Sequence, residues 1–182
     1  MLEISYSCYK SVILREITDF VLMDLQEKVR MDGIALGMCE KFQQEWQSPQ
    51  SVEQLCWMYH RGQDFCIEKD YPTVEDLQAF GAEPKQYGVY ATDGVAYNQP
   101  HVVVVGNADV SVEVSCVTDL TVRHNATVRI RIHEGAYCYV SAYDNCHVIV
   151  EHKGKGSRLC MSYYGGTVEN KEQFDTINNK KQ

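Results

Sequence analysis

Histidine is the residue of this chain best suited to metal binding, and four of its six histidines lie close together in the second half. Imidazole nitrogens bind transition metals when their spacing lets several side chains converge, as in H-x-E or H-x3-H motifs. Neither spacing occurs among the four, which are His124, His133, His147 and His152. A mixed site using Cys146 and His147 is also disfavoured, because adjacent residues of a strand point to opposite faces. The sequence therefore predicts no metal ligand, and we expect these histidines in turns or on the surface.

Catalytic and cofactor motifs are the second kind of chemistry that residue spacing can indicate. The chain has no G-x-S-x-G nucleophile motif, no phosphate-binding loop and no dinucleotide-binding glycine pattern. The glycine-rich segment 154–157 is a lone turn, and Asp64 and Glu68, one helical turn apart, are typical of a solvated helix face. We therefore predict no catalytic residue and no cofactor, and we do not expect an enzyme.

Composition argues against further classes of function. The 182 residues carry a net charge of -8, whereas nucleic-acid binding needs a concentrated basic surface, and the one basic cluster is Lys180-Lys181. No segment approaches the roughly 18 apolar residues of a membrane-spanning helix, and residues 1–4 lack the features of a signal peptide. The eight cysteines form no C-x-x-C pair, which favours buried free thiols over the alternative of a disulfide framework. We expect a soluble protein that is made in a cytosol and contacts neither nucleic acid nor membrane.

A sequence repeat between residues 107 and 162 organises the second half of the chain. Segment 107–112 (NADVSV) recurs as 125–130 (NATVRI) and as 145–150 (NCHVIV), at spacings of 18 and then 20 residues. Weaker copies lie half-way between these, so the unit is about ten residues, a strand and a turn. From residue 101 onward apolar and polar residues alternate, and β-branched residues and tyrosine become frequent. The repeat therefore predicts a stacked array of short strands.

Two architectures fit such an array: an antiparallel β-sandwich or meander, and a β-solenoid with two strands per coil. In a solenoid, residues 18 to 20 apart become neighbours on adjacent coils, and opposite charges then pair. The predicted structural ladder consists of Glu113, Arg131 and Glu151. The same spacing places Tyr137 between Asp119 and Arg158. These pairs favour a short solenoid of about three coils, with the sandwich or meander as the alternative.

Helical periodicity dominates the first half of the chain. Apolar residues at spacings of three and four predict a first helix that ends at Gly33. These apolar residues are Ile13, Ile17, Phe20, Val21, Leu25 and Val29. A second helix follows up to Ser48-Pro49, and Ser51 with Gln54 forms a capping box for a third that ends at Gly62. Thr73 caps a fourth short helix that ends at Gly81.

The predicted fold class is α+β, an N-terminal helical module followed by the short β-solenoid. We divide the chain into a helical docking and capping module (1–84), a β-repeat domain (85–168) and a polar C-terminal tail (169–182). The helical module is expected to cover one open end of the solenoid, because terminal coils otherwise expose strand edges. The tail has Phe174 and Ile177 as its large apolar residues, and we expect it to be disordered unless a neighbour in an assembly holds it.

A strip of tyrosines is the surface that the sequence favours as an interface. Tyrosine gives a large contact area at low cost in side-chain entropy, although it also suits strands that pack on one another. The candidate interface residues are Tyr137, Tyr139, Tyr143, Tyr163 and Tyr164. Packing of these rings on each other or on the helical module is the alternative.

Several short motifs carry a resemblance to a known family. They are Trp46, Leu55-Cys56, segment 62–66 (GQDFC) and segment 71–77 (YPTVEDL), followed by the strand repeats. In these the chain resembles small proteins of gut Bacteroidales and their phages, and it is similar to the head-fibre proteins of crAss-like phages. The resemblance implies a helical base that docks on the capsid and a β-rich, solenoid-like projection. It also implies a non-enzymatic virion component, homo-oligomeric, with capsid or other virion proteins as partners.

The sequence therefore predicts a non-enzymatic structural or interaction protein that assembles through its helical module. It would lie in the virion if a phage encodes it, after synthesis in the bacterial cytoplasm, and otherwise in the cytoplasm. The alternative function is a host bacterial ligand-binding or enzyme-accessory module of unknown substrate.

Overall fold

The computed structural model describes residues 21–46 and 50–179, which form a helical region followed by a parallel β-solenoid. The predicted α+β fold class is therefore confirmed, and the β-sandwich alternative is wrong, since every strand pairing is parallel. Several features named from the sequence lie outside the described residues: Ile13, Ile17, Phe20, Ser48-Pro49 and Lys180-Lys181.

Five helices precede the solenoid in the described part of the chain. They are α1 (21–35), α2 (Glu40–Glu45), α3 (Val52–Arg61), α4 (Gln63–Lys69) and α5 (Val74–Ala79). Helix α3 begins with the predicted capping box, in which Ser51 Oγ accepts from the backbone N–H of Gln54 at 3.2 Å and Gln54 Oε1 accepts from that of Ser51 at 2.9 Å. Thr73 and Asp76 form the same box at the start of α5. Capping by short polar side chains therefore sets both of these N-termini.

The helices differ from the prediction at the end of α1 and in the presence of α4. Helix α1 continues through Gly33 to residue 35 and ends in a Schellman motif at Gly37, whose φ is +95°. There the N–H of Met38 donates to the carbonyl of Gly33 at 2.8 Å, and that of Gly37 donates to Ile34 at 3.0 Å. Gly62 ends α3 as predicted, but α4 begins at the next residue and was not predicted separately. A glycine thus marks a bend between helices here as well as a stop.

Eleven strands follow in the described residues. They are β1 (Val89–Tyr90), β2 (Gly94–Tyr97), β3 (His101–Val104), β4 (Asp109–Val114), β5 (Val117–Val122), β6 (Thr127–Ile132), β7 (Tyr137–Ala142), β8 (His147–Lys153), β9 (Arg158–Tyr163), β10 (Thr167–Glu169) and β11 (Thr176–Asn179). A short 3-10 turn at Glu83–Tyr87 precedes β1, and another at Lys171–Gln173 separates β10 from β11. The domain boundary drawn at residue 85 lies within the first of these turns.

The strands alternate between two parallel sheets. Odd-numbered strands form a front sheet in the order β1-β3-β5-β7-β9-β11, and even-numbered strands form a back sheet in the order β2-β4-β6-β8-β10. Strands β3 to β10 make about four turns of the solenoid, one more than predicted, and the short β1–β2 pair and β11 flank them. The additional strands come from short segments on either side of the repeat, where the ten-residue pattern is weak.

A turn of fixed conformation precedes each copy of the repeat. The residue before the repeated asparagine is left-handed, with φ of +73° at Gly106, +60° at His124 and +57° at Asp144. The turns stack, because the N–H of Asn125 donates to the carbonyl of Gly106 at 3.0 Å and its side-chain amide donates to Asn107 at 3.2 Å. Asparagine therefore recurs in the sequence because the same position of the same turn is repeated in each coil.

The space between the two sheets is filled by inward-facing apolar side chains. The strands show the predicted alternation, and Val110, Ile130, Val148 and Leu159 are among the residues fully removed from solvent. Because each coil buries its side chains against the next, the apolar core runs the length of the solenoid.

Both ends of this core are closed by residues of the chain itself. At the N-terminal end the ring of Tyr90 belongs to the core, and its hydroxyl donates to the carbonyl of Val95 at 3.1 Å. At the C-terminal end Phe174 packs on the last coil, with Ile177 beside it. The expectation of a disordered tail is therefore wrong through residue 179, because its two large apolar residues cover the core and β11 extends the front sheet.

The helical module lies at the predicted end of the solenoid but packs against its side. Val103 and Val105 point outward from β3 and its following residue and contact the apolar face of the helices, which includes Cys56, Tyr59 and Leu77. The prediction that the helical module covers the end of the solenoid is therefore wrong, because the module packs on the outer face of the front sheet. The alternation in β3 explains this position, since both of its faces are apolar. Among the described helices, none combines the length and the apolar character that crossing a membrane requires.

Candidate functional site

A polar junction joins the helical module to the solenoid near the turn after β5. The guanidinium of Arg123 is buried and donates to the carbonyl of Cys66 at 3.0 Å and to Asp70 Oδ1 at 2.9 Å, at the C-terminal end of α4. His124 Nδ1 accepts from the N–H of Gly106 at 3.0 Å, so Nε2 carries the proton of the neutral ring and donates to Asp70 at 2.7 Å. The hydrogen bond from His124, together with the nearby Arg123, holds the pKa of Asp70 below its usual value. These residues are engaged with one another, and their role is to position the module.

Helix α5 packs closely against the turn at Gly106. A Cβ atom on this residue would lie 2.7 Å from Cγ1 of Val74, and its φ of +73° is left-handed. Glycine therefore permits both the turn and the contact with the helix.

A cleft opens on the other side of the module, between α3 and the outer face of the front sheet. It consists of two adjoining hollows of about 390 and 270 Å³ that share His60 and His101 in their linings. We call it the indole cleft, because Trp57, at 52 % exposure, is its most prominent side chain. The ring centroids of Trp57 and His101 are 5.8 Å apart with an interplanar angle of 62°, an edge-to-face contact.

His60 forms the floor where the two hollows meet. Its Nε2 donates to the carbonyl of Tyr87 at 2.8 Å, and its ring centroid lies 5.5 Å from that of His101. Burial lowers the pKa of His60 more than the bond to Tyr87 raises it, and the proximity of His101 adds to the lowering. The ring is therefore neutral at pH 7 and offers Nδ1 as an acceptor.

The inner hollow is polar. Gln63 donates from Nε2 to the carbonyl of Tyr59 at 3.0 Å, while its Oε1 is buried and has no hydrogen-bond partner among the described residues. Asp119, Thr121 and Ser141 line the same hollow from β5 and β7. A buried amide oxygen without a donor is costly to the fold. Because this atom is closed to solvent, the other polar residues of the inner hollow are the better candidates for contact with a ligand.

The tyrosines that the sequence singled out are all half-buried and divide into separate groups. Tyr137 and Tyr139 stand on the outer face of β7, and the hydroxyl of Tyr139 bonds to that of Ser162. Tyr143 and Tyr164 stack on each other with centroids 4.4 Å apart, and burial raises the pKa of Tyr143 to about 12. Tyr163 donates to the carbonyl of Gly166 at 2.6 Å and packs against the core at the end of the solenoid. Three of the five rings thus have partners within the turns of the last coils.

The predicted ladder residues lie together on the outer face of the back sheet. Glu113 and Arg131 occupy paired positions, but Glu113 contacts His133 at 3.0 Å, whereas Arg131 Nε binds Glu151 Oε2 at 2.8 Å. Glu151 stands at an irregularity between β6 and β8, where Arg131 pairs in register with His152. The predicted ladder therefore keeps its Arg131–Glu151 pair, whereas Glu113 contacts His133 instead of Arg131.

One predicted neighbour is wrong. Tyr137 lies opposite Arg158, as expected, but on its other side it lies opposite Val117, because the coil from β5 to β7 contains 20 residues. Asp119 pairs instead with Tyr139. A shift of two residues keeps each side chain on its face and changes only its neighbour.

The four repeat histidines lie in turns and on outer faces, each with its own partner or exposed. His133 contacts Glu113 and His147 contacts Glu169, both at 3.0 Å, while His124 belongs to the junction. Within residues 21–46 and 50–179, no three His, Cys, Asp or Glu side chains are grouped so that they could hold a metal ion. The seven cysteines in these residues are free, and burial raises the pKa of Cys56 and of Cys66 to about 12.

The helical module also encloses an apolar cavity of about 320 Å³. Its lining includes Met38, Phe42, Trp46, Leu55 and Phe80. Trp46 directly precedes residues 47–49, which the structure does not describe. The cavity is lined mainly by the apolar faces by which α2, α3 and α5 pack.

No family, curated protein or solved structure matches this chain. The indole cleft therefore rests on geometry alone. The sequence reasoning missed its residues, although one signal was present: Trp57 stands outside the apolar face of α3 formed by Val52, Cys56 and Tyr59. A large aromatic residue on the polar side of a helix is a candidate for a contact outside the core.

Proposed function

We propose that this chain is a non-enzymatic structural protein, a head-fibre-like virion accessory that forms a homo-oligomer and docks through its helical module. The observation that carries the proposal is the closed core of the solenoid. Apolar side chains fill it, and Tyr90 and Phe174 cover its two ends. A solenoid of this kind is a rigid body that acts through its outer surfaces, as a projection does.

The contacts of the histidines support a structural role. At least one ring nitrogen of each of four histidines is engaged with a carbonyl, backbone or carboxylate group of the fold, and the four are His60, His124, His133 and His147. These contacts connect neighbouring elements and coils.

Exposed apolar side chains on α1 support docking through the helical module. Val21, Met23 and Met31 on α1 are exposed, with Met31 at 52 %, and Leu36 is exposed in the turn that follows the helix. Such residues on a helix whose other side packs inward are typical of an interaction surface. By contrast, most of the candidate interface tyrosines already have intramolecular partners.

Sedimentation velocity of the full chain over a wide concentration range tests the assembly. We expect a discrete dimer or trimer that persists on dilution, and Met31→Lys should shift it toward the monomer. Tyr97→Lys, which alters an exposed ring on β2 instead, is the matched control and should leave the oligomer intact. A monomer at every concentration would contradict the proposed assembly.

The virion assignment has its own test. We expect the gene to lie beside capsid and portal genes, and the chain to be present in purified particles of that phage. A chromosomal locus without virion genes would favour the alternative, a host ligand-binding or enzyme-accessory module. That alternative has one specific observation in its favour, the indole cleft.

A further inference from the structure

We propose that the indole cleft binds a neutral oligosaccharide. The two hollows, about 390 and 270 Å³, meet at His60 and His101, so together they form an elongated site for more than one sugar unit. Known ligand pockets have volumes of about 300–1,000 Å³ and combine apolar or aromatic surface with a few polar groups. This inference is independent of the assembly proposed above, since no cleft residue belongs to α1.

The outer hollow supplies an aromatic platform. Trp57 exposes half of its surface, and the edge-to-face contact with His101 restrains the orientation of the indole ring. A pyranose ring has a face of C–H groups surrounded by hydroxyls. A restrained indole flanked by polar side chains is complementary to such a face, and its few rotatable bonds keep the entropic cost of binding low.

The two carboxylates that line the cleft are acceptors. Glu53 lines the outer hollow and Asp119 the inner one. The hydroxyls of Thr121 and Ser141 can both donate and accept. A ligand that fits this set must supply several donors, and sugar hydroxyls do so.

Charge favours a neutral ligand. None of the residues lining the two hollows is lysine or arginine, so a phosphate or carboxylate ligand would have no counter-charge. Asp119 is largely exposed at the rim, where solvent and salt weaken its attraction for a cation. The enclosed part of the cleft presents the neutral groups of His60, Gln63 and Thr121.

Isothermal titration calorimetry of the full chain with cellotriose, maltotriose and chitotriose tests the proposal. We expect at least one of them to bind, with Kd of about 1 mM or tighter. Tryptophan fluorescence should shift to the blue as the sugar covers Trp57, since the other tryptophan, Trp46, is already buried. Trp57→Ala should weaken binding about tenfold or more, as aromatic anchors do.

Two further variants make the result decisive. Thr121→Val should weaken binding because it removes a hydroxyl from a residue that lines the inner hollow, and it decides the question if Trp57→Ala does not fold. Tyr97→Ala changes a more exposed aromatic residue on the back sheet, and this variant should bind as the natural chain does. The proposal is wrong if none of the three sugars binds at concentrations up to about 10 mM, ten times that Kd. It is also wrong if binding survives both Trp57→Ala and Thr121→Val, or if tetramethylammonium binds and the sugars do not.

Discussion

Replacing Arg123 by methionine is expected to weaken the docking of the helical module on the solenoid by about 2 kcal/mol. Arg123 is the buried cation between the two parts: it extends from the turn after β5 and donates to the carbonyl of Cys66 and to Asp70. Methionine retains most of the side-chain length and removes the charge. The substitution therefore tests the polar contacts with little change in volume.

The magnitude follows from the partners of each guanidinium nitrogen. A hydrogen bond from a charged group contributes about 1.5–3 kcal/mol, and the Cys66 carbonyl is not orphaned by its loss because the N–H groups of Asp70 and Tyr71 also donate to it. Asp70 is 68 % exposed, which limits that ion pair to about 1 kcal/mol or less. Arg123 Nε is buried without a partner among the described residues, and its removal returns about 1 kcal/mol. The net loss is about 2 kcal/mol.

Hydrogen exchange followed by mass spectrometry measures this local effect. Amides of α4 should exchange about 30-fold faster in Arg123→Met, the factor that corresponds to 2 kcal/mol, whereas amides of β7 and β9 should be unchanged. Asp70→Asn is the matched control, and its effect should be smaller because the carboxylate is mostly exposed. Unchanged exchange in α4 of a folded Arg123→Met chain would refute the reasoning, as would an equal effect of Asp70→Asn.

Three other predictions concern the ends, the cleft and the ladder. Phe174→Ala should lower the free energy of unfolding by about 3 kcal/mol, because the ring covers the last coil. The uncovered end should also cause self-association. Urea unfolding measures the loss of stability, and light scattering measures the self-association. Because folding lowers the pKa of His60, the chain should lose stability as the pH falls below 6.5, the ordinary pKa of histidine. In thermal unfolding scans His60→Gln should make the Tm depend less on pH. An equal dependence of the Tm on pH in both chains would contradict this prediction. Arg131→Glu should lower the Tm, and adding Glu151→Arg should recover part of it, because the two side chains are in contact; no recovery would count against their pairing.

The repeat was predictable from the sequence because two local patterns agree. Alternation of apolar residues identifies the inner face of each strand, and the repeated asparagine marks a turn whose neighbour on the next coil is the same turn. The extra coil was not predictable in this way. Strands such as β1 and β10 have two and three residues, too few to show a period, and they form because a neighbouring strand offers an edge.

The indole cleft shows what local patterns leave out. Trp57 and His60 belong to α3, His101 begins β3, and Asp119 lies on β5, so their proximity depends on where the module docks. That docking is lateral because Val103 points outward from β3. A strand with apolar residues on both faces does not reveal in the sequence which partner covers its second face. The candidate interface tyrosines were chosen because tyrosine is common in strands and at interfaces. Such a preference does not show whether a given ring is free or stacked on another ring.

The position of Arg123 has a consequence for how the length of this protein can vary. The hydrogen bonds of the junction come from Arg123 and His124, whereas the later coils are held by strand pairing with their neighbours in the two sheets. Duplicating residues 127–146, one whole coil, would lengthen the solenoid by about 4.8 Å and leave the junction, the first coils and the C-terminal closure in place. Evolution or design could therefore adjust the reach of the solenoid in steps of one coil without altering how its base is held.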